Sequence, residues 1–206
     1  MAEAPTRRNT DEIRAATVAA ATAEFSEHGY AGTTMRAIAA SAEISLSVLH
    51  HHFPSKQALF SAALVEPFLT FFDEFATAWS QQVERPWDDR ELVRGFVDGL
   101  YRNLGEHRLT LVSLLAVAES SDRQVLDEVR GAVAEMRAKL VTMGEHEARQ
   151  RGLPTAAVPL ANRMIAALVT GLVLLHPFFT AGEEDENERL IEAATDVLLN
   201  GVYRGA

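Results

Sequence analysis

The sequence predicts an all-α protein of about nine helices, and three features carry that prediction. The first is helical spacing: Ile13, Thr17, Ala20, Ala21 and Phe25 fall at i, i+4, i+7, i+8 and i+12, one continuous stripe. The second is punctuation. Thr10, Thr33 or Thr34, Ser45 and Ser55 are good N-caps placed just ahead of such segments, while Gly29, Pro54, Gly152 and Pro154 follow them as stops. The third is a dense aromatic stripe, Phe68, Phe71, Phe72, Phe75 and Trp79, at three- and four-residue intervals. The pattern divides into an N-terminal three-helix domain over 1–55 and a larger helical body over 56–206.

Composition narrows the class. The chain has 206 residues, 48% of them hydrophobic, enough for a real core. Cys is absent, which removes disulfides, thiolate metal sites and a Cys nucleophile, and fits a reducing cytoplasm. Residues 1–11 are polar and lack the apolar stretch of a signal peptide. The longest apolar run, Met164 to Leu175, falls short of the ~18–20 residues that span a bilayer and reads as a buried core helix, so no membrane partner is expected. The formal net charge of −10 argues at first against nucleic acid. Yet residues 1–60 hold five Lys or Arg and six Asp or Glu, a net −1, while residues 61–206 hold 14 and 23, a net −9. The acidity belongs to the C-terminal body, and a small basic patch remains open to the N-terminal part.

Thr10 to His28 forms the first helix. Asp11 and Glu12 sit in its first turn, where the helix dipole favours acids, and Gly29 ends it. The next helix buries Ile38. Ser45 caps a third, on which Leu49 and Phe53 face inward together, so that Ser47, Val48, His50 and His51 point away and Leu46 lies at the flank. Pro54 stops it. A helix runs from Lys56 to about Gln82, with a kink expected at Pro67. A loop over 83–88 precedes a helix over 89–103, whose Gly95 and Gly99 suggest close helix packing. Helices over 106–120, apolar at Leu109, Val112, Leu115 and Ala116, and over 122–151, capped by Ser121, follow. Thr155 to Phe179 is apolar on nearly every side and therefore has a face for its own core and another for a partner. Glu183 to Glu188 starts the last helix as a dipole complement on a solvated surface. The two terminal helices make an antiparallel pair, and two such pairs from two chains close a four-helix bundle.

No enzyme signature is present: no Walker A loop, GxGxxG, GxSxG or HExxH. His50, His51 and His52 are adjacent on a helix and point about 100° apart, so they cannot converge on one ion. No catalytic activity, metal or cofactor is expected. A helix pair of this size near the N-terminus is instead a common way to place a helix in the major groove.

Gly-Tyr-Ala-Gly-Thr-Thr-Met-Arg-Ala-Ile-Ala at 29–39, followed by S-x-x-x-L-H-x-H-F-P-S-K-x-x-L-F over 45–60, resembles the TetR family of bacterial transcriptional regulators across roughly residues 10–60. Two positions depart from the family pattern. Glu43 stands in the helix–helix turn where glycine is usual, and His50 replaces the usual phosphate-contacting tyrosine. The resemblance implies a DNA-binding domain followed by a ligand-binding and dimerisation domain, with a small-molecule effector releasing a repressor from its double-stranded operator.

On that reading Ser45 opens the recognition helix. Leu46, Ser47, His50 and His51 are candidates for base or backbone contact, while Thr33, Thr34, His52 and Lys56 are candidates for phosphate. Arg36, on the preceding helix, is the nearest arginine able to read guanine. Phe71, Phe75, Trp79, Phe96, Tyr101, His107, Met136 and Met164 are candidates to line a pocket for a mainly apolar ligand, and the same residues would equally make a core. The alternative function is a small helical ligand-binding protein or enzyme without DNA affinity.

Overall fold

The computed structural model describes residues 10–82, 88–119, 122–152, 154–179 and 186–200. Among these residues there is no strand. The helices are α1 (Thr10–Gly32), α2 (Met35–Ser41), α3 (Leu46–His52), α4 (Lys56–Phe60), α5 (Glu66–Gln82), α6 (Asp89–Glu106), α7 (Arg108–Ala116), α8 (Arg123–Gln150), α9 (Val158–Phe179) and α10 (Glu186–Asn200). A π turn, Ser61–Val65, makes α4 and α5 one continuous helix, so the described residues hold nine helices. The chain forms two compact units, one of residues 1–68 and 109–132, the other of residues 69–108 and 133–206.

In the first unit α1 breaks where the sequence places its stop, at Gly29 (φ 68°, ψ 173°), a conformation that costs glycine little. Three caps repeat one geometry. The side-chain oxygens of Thr34, Ser45 and Ser55 accept from the backbone N–H three residues on, at 3.1, 3.2 and 3.1 Å. Ile38, Leu49 and Phe53 are buried, as the spacing requires. Between α2 and α3 the backbone N–H groups of Glu43 and Ile44 donate to the carbonyls of Ala40 and Ala39 at 3.1 and 3.0 Å. That is a Schellman closure, and it puts Glu43 in the left-handed region at φ 56°. Glu43 is the one non-glycine residue with positive φ among those described.

The irregularity expected at Pro67 appears one turn earlier, as the π turn. Pro67 has no N–H for the carbonyl of residue 63, and its ring crowds that carbonyl. The widened turn relieves the crowding, and Ala63 O finds another donor, the Thr22 hydroxyl of α1 at 3.2 Å, which also lies 3.0 Å from Val18 O.

Two expectations in this unit change. The stripe Leu109, Val112 and Leu115 of α7 faces outward, with exposures of 61, 41 and 49%, while Leu111, Leu114 and Val117 are buried. The segment is apolar on both sides, so either stripe satisfies the helical period and packing decides. At the start of α8, Ser121 lies outside the described residues; Asp122 Oδ1 accepts from Gln124 N and Val125 N at 3.1 and 3.3 Å.

In the second unit, α6 opens with a full capping box between Asp88 and Glu91, whose sequence signal is D-x-x-E. A Cβ on Gly99 would sit 3.0 Å from the Phe75 ring, the close packing expected of that glycine. Arg90 pairs with Glu192 and Asp196 at 2.6 and 2.5 Å, and Arg94 pairs with Glu188 and Glu192, which ties α6 to α10. The loop expected over 83–88, apart from Asp88, and the turn at 181–182 lie outside the described residues.

Helix α9 has two unlike faces. Val169 and Val173 are buried, while Leu160, Met164, Leu175 and Phe178 repeat at helical spacing along an exposed stripe. The segment Thr155–Phe178, 24 residues containing an 18-residue stretch with a mean hydropathy of 1.8, is long and apolar enough to cross a membrane by length and composition. Counting only the uninterrupted run from Met164 underestimates it.

The strain at Glu43 is testable. Glu43→Gly removes a left-handed cost of roughly 1 kcal/mol, partly offset by the entropy glycine adds to the unfolded chain. A rise in Tm of about 2 °C is expected in a thermal melt, and a fall would show that the Glu43 side chain stabilises the turn by more than its backbone costs.

Candidate functional site

The recognition helix is built from behind. Leu49 and Phe53 are sunk into the first unit, and the Arg14 guanidinium lies over the Phe53 ring at 4.7 Å from its centroid. With those anchors fixed, Ser45, Ser47, Val48, His50 and His51 are exposed, and Leu46 and His52 are half-buried. The His51 and His52 rings meet edge to face at 5.4 Å. Val48, 36% exposed, is an apolar side chain on this outward face to which the sequence reading gave no contact. Its place 100° from Leu49 was the available signal.

The residues flanking α3 divide. Thr34 and Arg36 are exposed at the start of α2. Thr33 is buried, and its hydroxyl lies 2.9 and 2.8 Å from the carbonyls of Glu24 and Gly29, where it satisfies the broken end of α1 rather than facing outward. Lys56 also turns inward: its ammonium donates to Thr33 O at 2.8 Å and lies 4.3 Å from the centroid of the Tyr30 ring. Asp122 is the negative charge that acts on its ammonium.

The second unit holds an apolar cavity of about 130 Å³, lined by Trp79, Leu92, Val93, Phe96, Leu140, Met143, Gly144, Glu147, Asn162 and Ile165. Of the pocket candidates, Trp79 and Phe96 reach it, with their rings edge to face at 5.2 Å. Phe71, Phe75 and His107 form a connected aromatic group beside them, with Phe71–His107 at 4.9 Å and Phe75–Phe96 at 5.6 Å. Tyr101 lies with Asn187 and His176 instead, donating to Asn187 Oδ1 at 2.9 Å. Met136 is half-buried, and Met164 stands on the exposed stripe of α9.

Behind the recognition helix lies an aromatic cluster. The Phe60 ring meets Phe25 and Tyr30 edge to face at 5.2 and 5.1 Å. The Tyr30 hydroxyl donates to Asp122 Oδ2 at 3.1 Å, and Gln57 Nε2 donates to Glu128 Oε2 at 2.8 Å, so the first turns of α8 are fastened to α1 and α4. Burial, the Asp122 hydrogen bond and the negative charges of Asp122 and Glu128 push the Tyr30 phenol up to about 12. Burial also pushes the Lys56 ammonium down, against the opposing pull of Asp122. Because the folded chain holds the Tyr30 proton more tightly than the unfolded chain, this stabilisation is complete below pH 10 and lost as pH rises toward 12. Tyr30→Phe should remove this alkaline loss of stability. Denaturant titrations between pH 9 and 12 should give a shallower decline for the variant, and parallel curves would place the titration elsewhere.

Comparison with known proteins agrees with this architecture. Residues 18–63 match the model of the tetR family of bacterial regulatory proteins. Among solved structures, a Mesorhizobium loti protein assigned to the TetR-family transcriptional regulators superimposes with a TM-score of 0.72 at 21% identity, over 94% of this chain and 98% of that one. A Clostridium perfringens protein assigned to fatty acid metabolism regulation gives 0.74 at 20% identity, over 92% and 100%. The transcriptional regulator FadR from Bacillus subtilis, in complex with stearoyl-CoA, gives 0.70 at 15% identity, over 92% and 100%. No curated protein matches the sequence with significance. Residues 18–63 thus carry a DNA-binding domain of the tetR-family type, and the chain shares the fold of TetR-family regulators along nearly its whole length.

Proposed function

We propose that the chain is a homodimeric repressor that binds a double-stranded operator through α3 and leaves it when a mainly apolar small molecule occupies the helical body. The observation that carries the DNA half is the outward face of α3, where Ser47, Val48, His50 and His51 stand exposed on a helix whose other side is anchored by Leu49 and Phe53. On this reading residues 1–55 read DNA, and residues 56–206 bind ligand and dimerise. Leu46, Ser47, Val48 and His51 face base edges, Thr34, His50 and His52 face the backbone, and Arg36 is the arginine nearest to the bases. Thr33 and Lys56 act from behind, fixing α2 against the end of α1.

No arginine lies on α3, so the strong bidentate reading of guanine is left to Arg36. Affinity then leans on the dimer, whose two recognition helices must stand about 34–36 Å apart, or a multiple of that, to meet successive grooves. The exposed stripe of α9 supports a partner surface there. Relatives of this fold include one in complex with stearoyl-CoA, which supports an apolar effector as a class. Such a ligand releases DNA only if it prefers the non-binding conformation. Helix α8 is a suitable lever, because Asp122 caps it, its first turns carry Glu128, and its later turns carry Leu140, Met143 and Glu147 of the cavity wall.

Selection of bound sequences from random duplex DNA, followed by gel shifts at several salt concentrations, tests the DNA reading. Log affinity should fall linearly with log salt, and His51→Ala should alter which bases are preferred; no selective binding at low salt sinks the proposal. For the dimer, Met164→Lys leaves the exposed stripe soluble in a monomer but buries an unpaired charge in a pair. Sedimentation velocity should show a dimer for the native chain and a helical monomer for the variant. A variant that stays dimeric would move the interface off this face.

A further inference from the structure

The compact unit that carries α1 to α4 does not end with them. It also takes in residues 109–132, and with them the start of α8. Asp122 stands at that start, and its two carboxylate oxygens have different tasks. Oδ1 accepts from Gln124 N and Val125 N and so caps α8, while Oδ2 accepts from the Tyr30 hydroxyl at 3.1 Å. The cap fixes the carboxylate to α8, and the Tyr30 bond then ties α8 to the end of α1.

The Tyr30 ring carries the Lys56 ammonium at 4.3 Å from its centroid, and Lys56 Nζ donates to Thr33 O at 2.8 Å. Thr33 immediately precedes Thr34, whose hydroxyl caps α2. Lys56 therefore pins the chain where α2 begins, and the turn closed by Glu43 and Ile44 passes that position on to α3. The ammonium is half-buried there. Burial disfavours its charge, and the negative charge of Asp122 offsets that cost. The flexible lysine stem could otherwise swing the charge out into water.

We propose that Asp122 is a positioning residue for DNA recognition: its charge keeps Lys56 on the Thr33 carbonyl, which sets the start of α2 and the placement of α3. The DNA reader then extends past residue 63 to the start of α8. The effect on DNA rests on the DNA-binding reading above, whereas the hold on α2 does not.

Asp122→Asn isolates the charge. Asparagine caps a helix about as well as aspartate, and the Tyr30 hydroxyl can turn to accept from its amide. Removing a negative charge from an acidic chain would, by long-range electrostatics alone, strengthen DNA binding. Positioning predicts the reverse, because with Lys56 released the binding-competent α2 becomes a minor state and affinity falls with its population. Fluorescence anisotropy of the full chain on a duplex recovered by selection should show Asp122→Asn binding about fivefold more weakly than the native chain, the upper end for a partly exposed ion pair. Asp127→Asn, the same change at an exposed position of α8, should bind at least as tightly as the native chain. In a Lys56→Met background Asp122→Asn should cost nothing further. Native or higher affinity in Asp122→Asn, or an undiminished loss in the Lys56→Met background, overturns the proposal.

Amide hydrogen exchange without DNA reads the hold on α2 directly. Ala37 N and Ile38 N, which donate to Thr34, should exchange about fivefold faster in Asp122→Asn, while the amides of α6 keep their native rates. Unchanged rates at Ala37 and Ile38 sink the proposal whatever the DNA result. Faster exchange together with a native chain that selects no duplex leaves the hold on α2 standing and removes the DNA-binding reading.

Discussion

The helices that carry the candidate DNA surface are seven residues each, well below the length at which an isolated helix persists in water. Their shape is therefore imposed from outside. Each has a side-chain cap at its N-terminus, each has its apolar residue buried, and the turn between them is closed by two crossed backbone hydrogen bonds. Behind them, Phe25, Tyr30 and Phe60 form the floor, and Lys56 reaches across to the carbonyl of Thr33. The outward residues of α3 can be varied for recognition because none of them holds the helix in place.

That arrangement also settles where the scarce positive charge goes. Residues 1–60 contain only five lysines and arginines, and two of them are used internally: Arg14 over the Phe53 ring and Lys56 over the Tyr30 ring. A side chain that helps to build the reader is less available to bind phosphate. The electrostatic share of any DNA affinity is correspondingly small, and exposed hydroxyls, imidazoles and helix N-termini have more of the work to do.

Much of this was legible in the sequence, because local rules govern it. Thr34, Ser45 and Ser55 cap where their residue types predict, Leu49 and Phe53 pair inward by spacing, and Glu43 takes the left-handed position that its place in the turn demanded. What could not be read depends on neighbours distant in the chain. Thr33 and Thr34 look alike as caps, and only the broken end of α1 decides that Thr33 turns inward. Either stripe of α7 satisfies the helical period. The aromatic stripe of α5 serves mainly as packing, and the cavity takes only Trp79 from it, the rest of its wall coming from α6, α8 and α9. Glu147 and Asn162, the polar side chains on its wall, have no local signature at all.

The π turn before Pro67 bears on how this chain should be aligned with its relatives. A π turn holds one residue more than an α turn, so a single helical wheel cannot describe Lys56 through Gln82; the phase resets within Ser61–Val65. A relative without a proline at the position of Pro67 has no crowded carbonyl to relieve and can run through as plain α-helix with one residue fewer. Its apolar positions on both sides would then match this chain only across a single-residue gap in mid-helix, where sequence comparison usually forbids one. Homology that looks lost beyond residue 63 would be out of register by one residue.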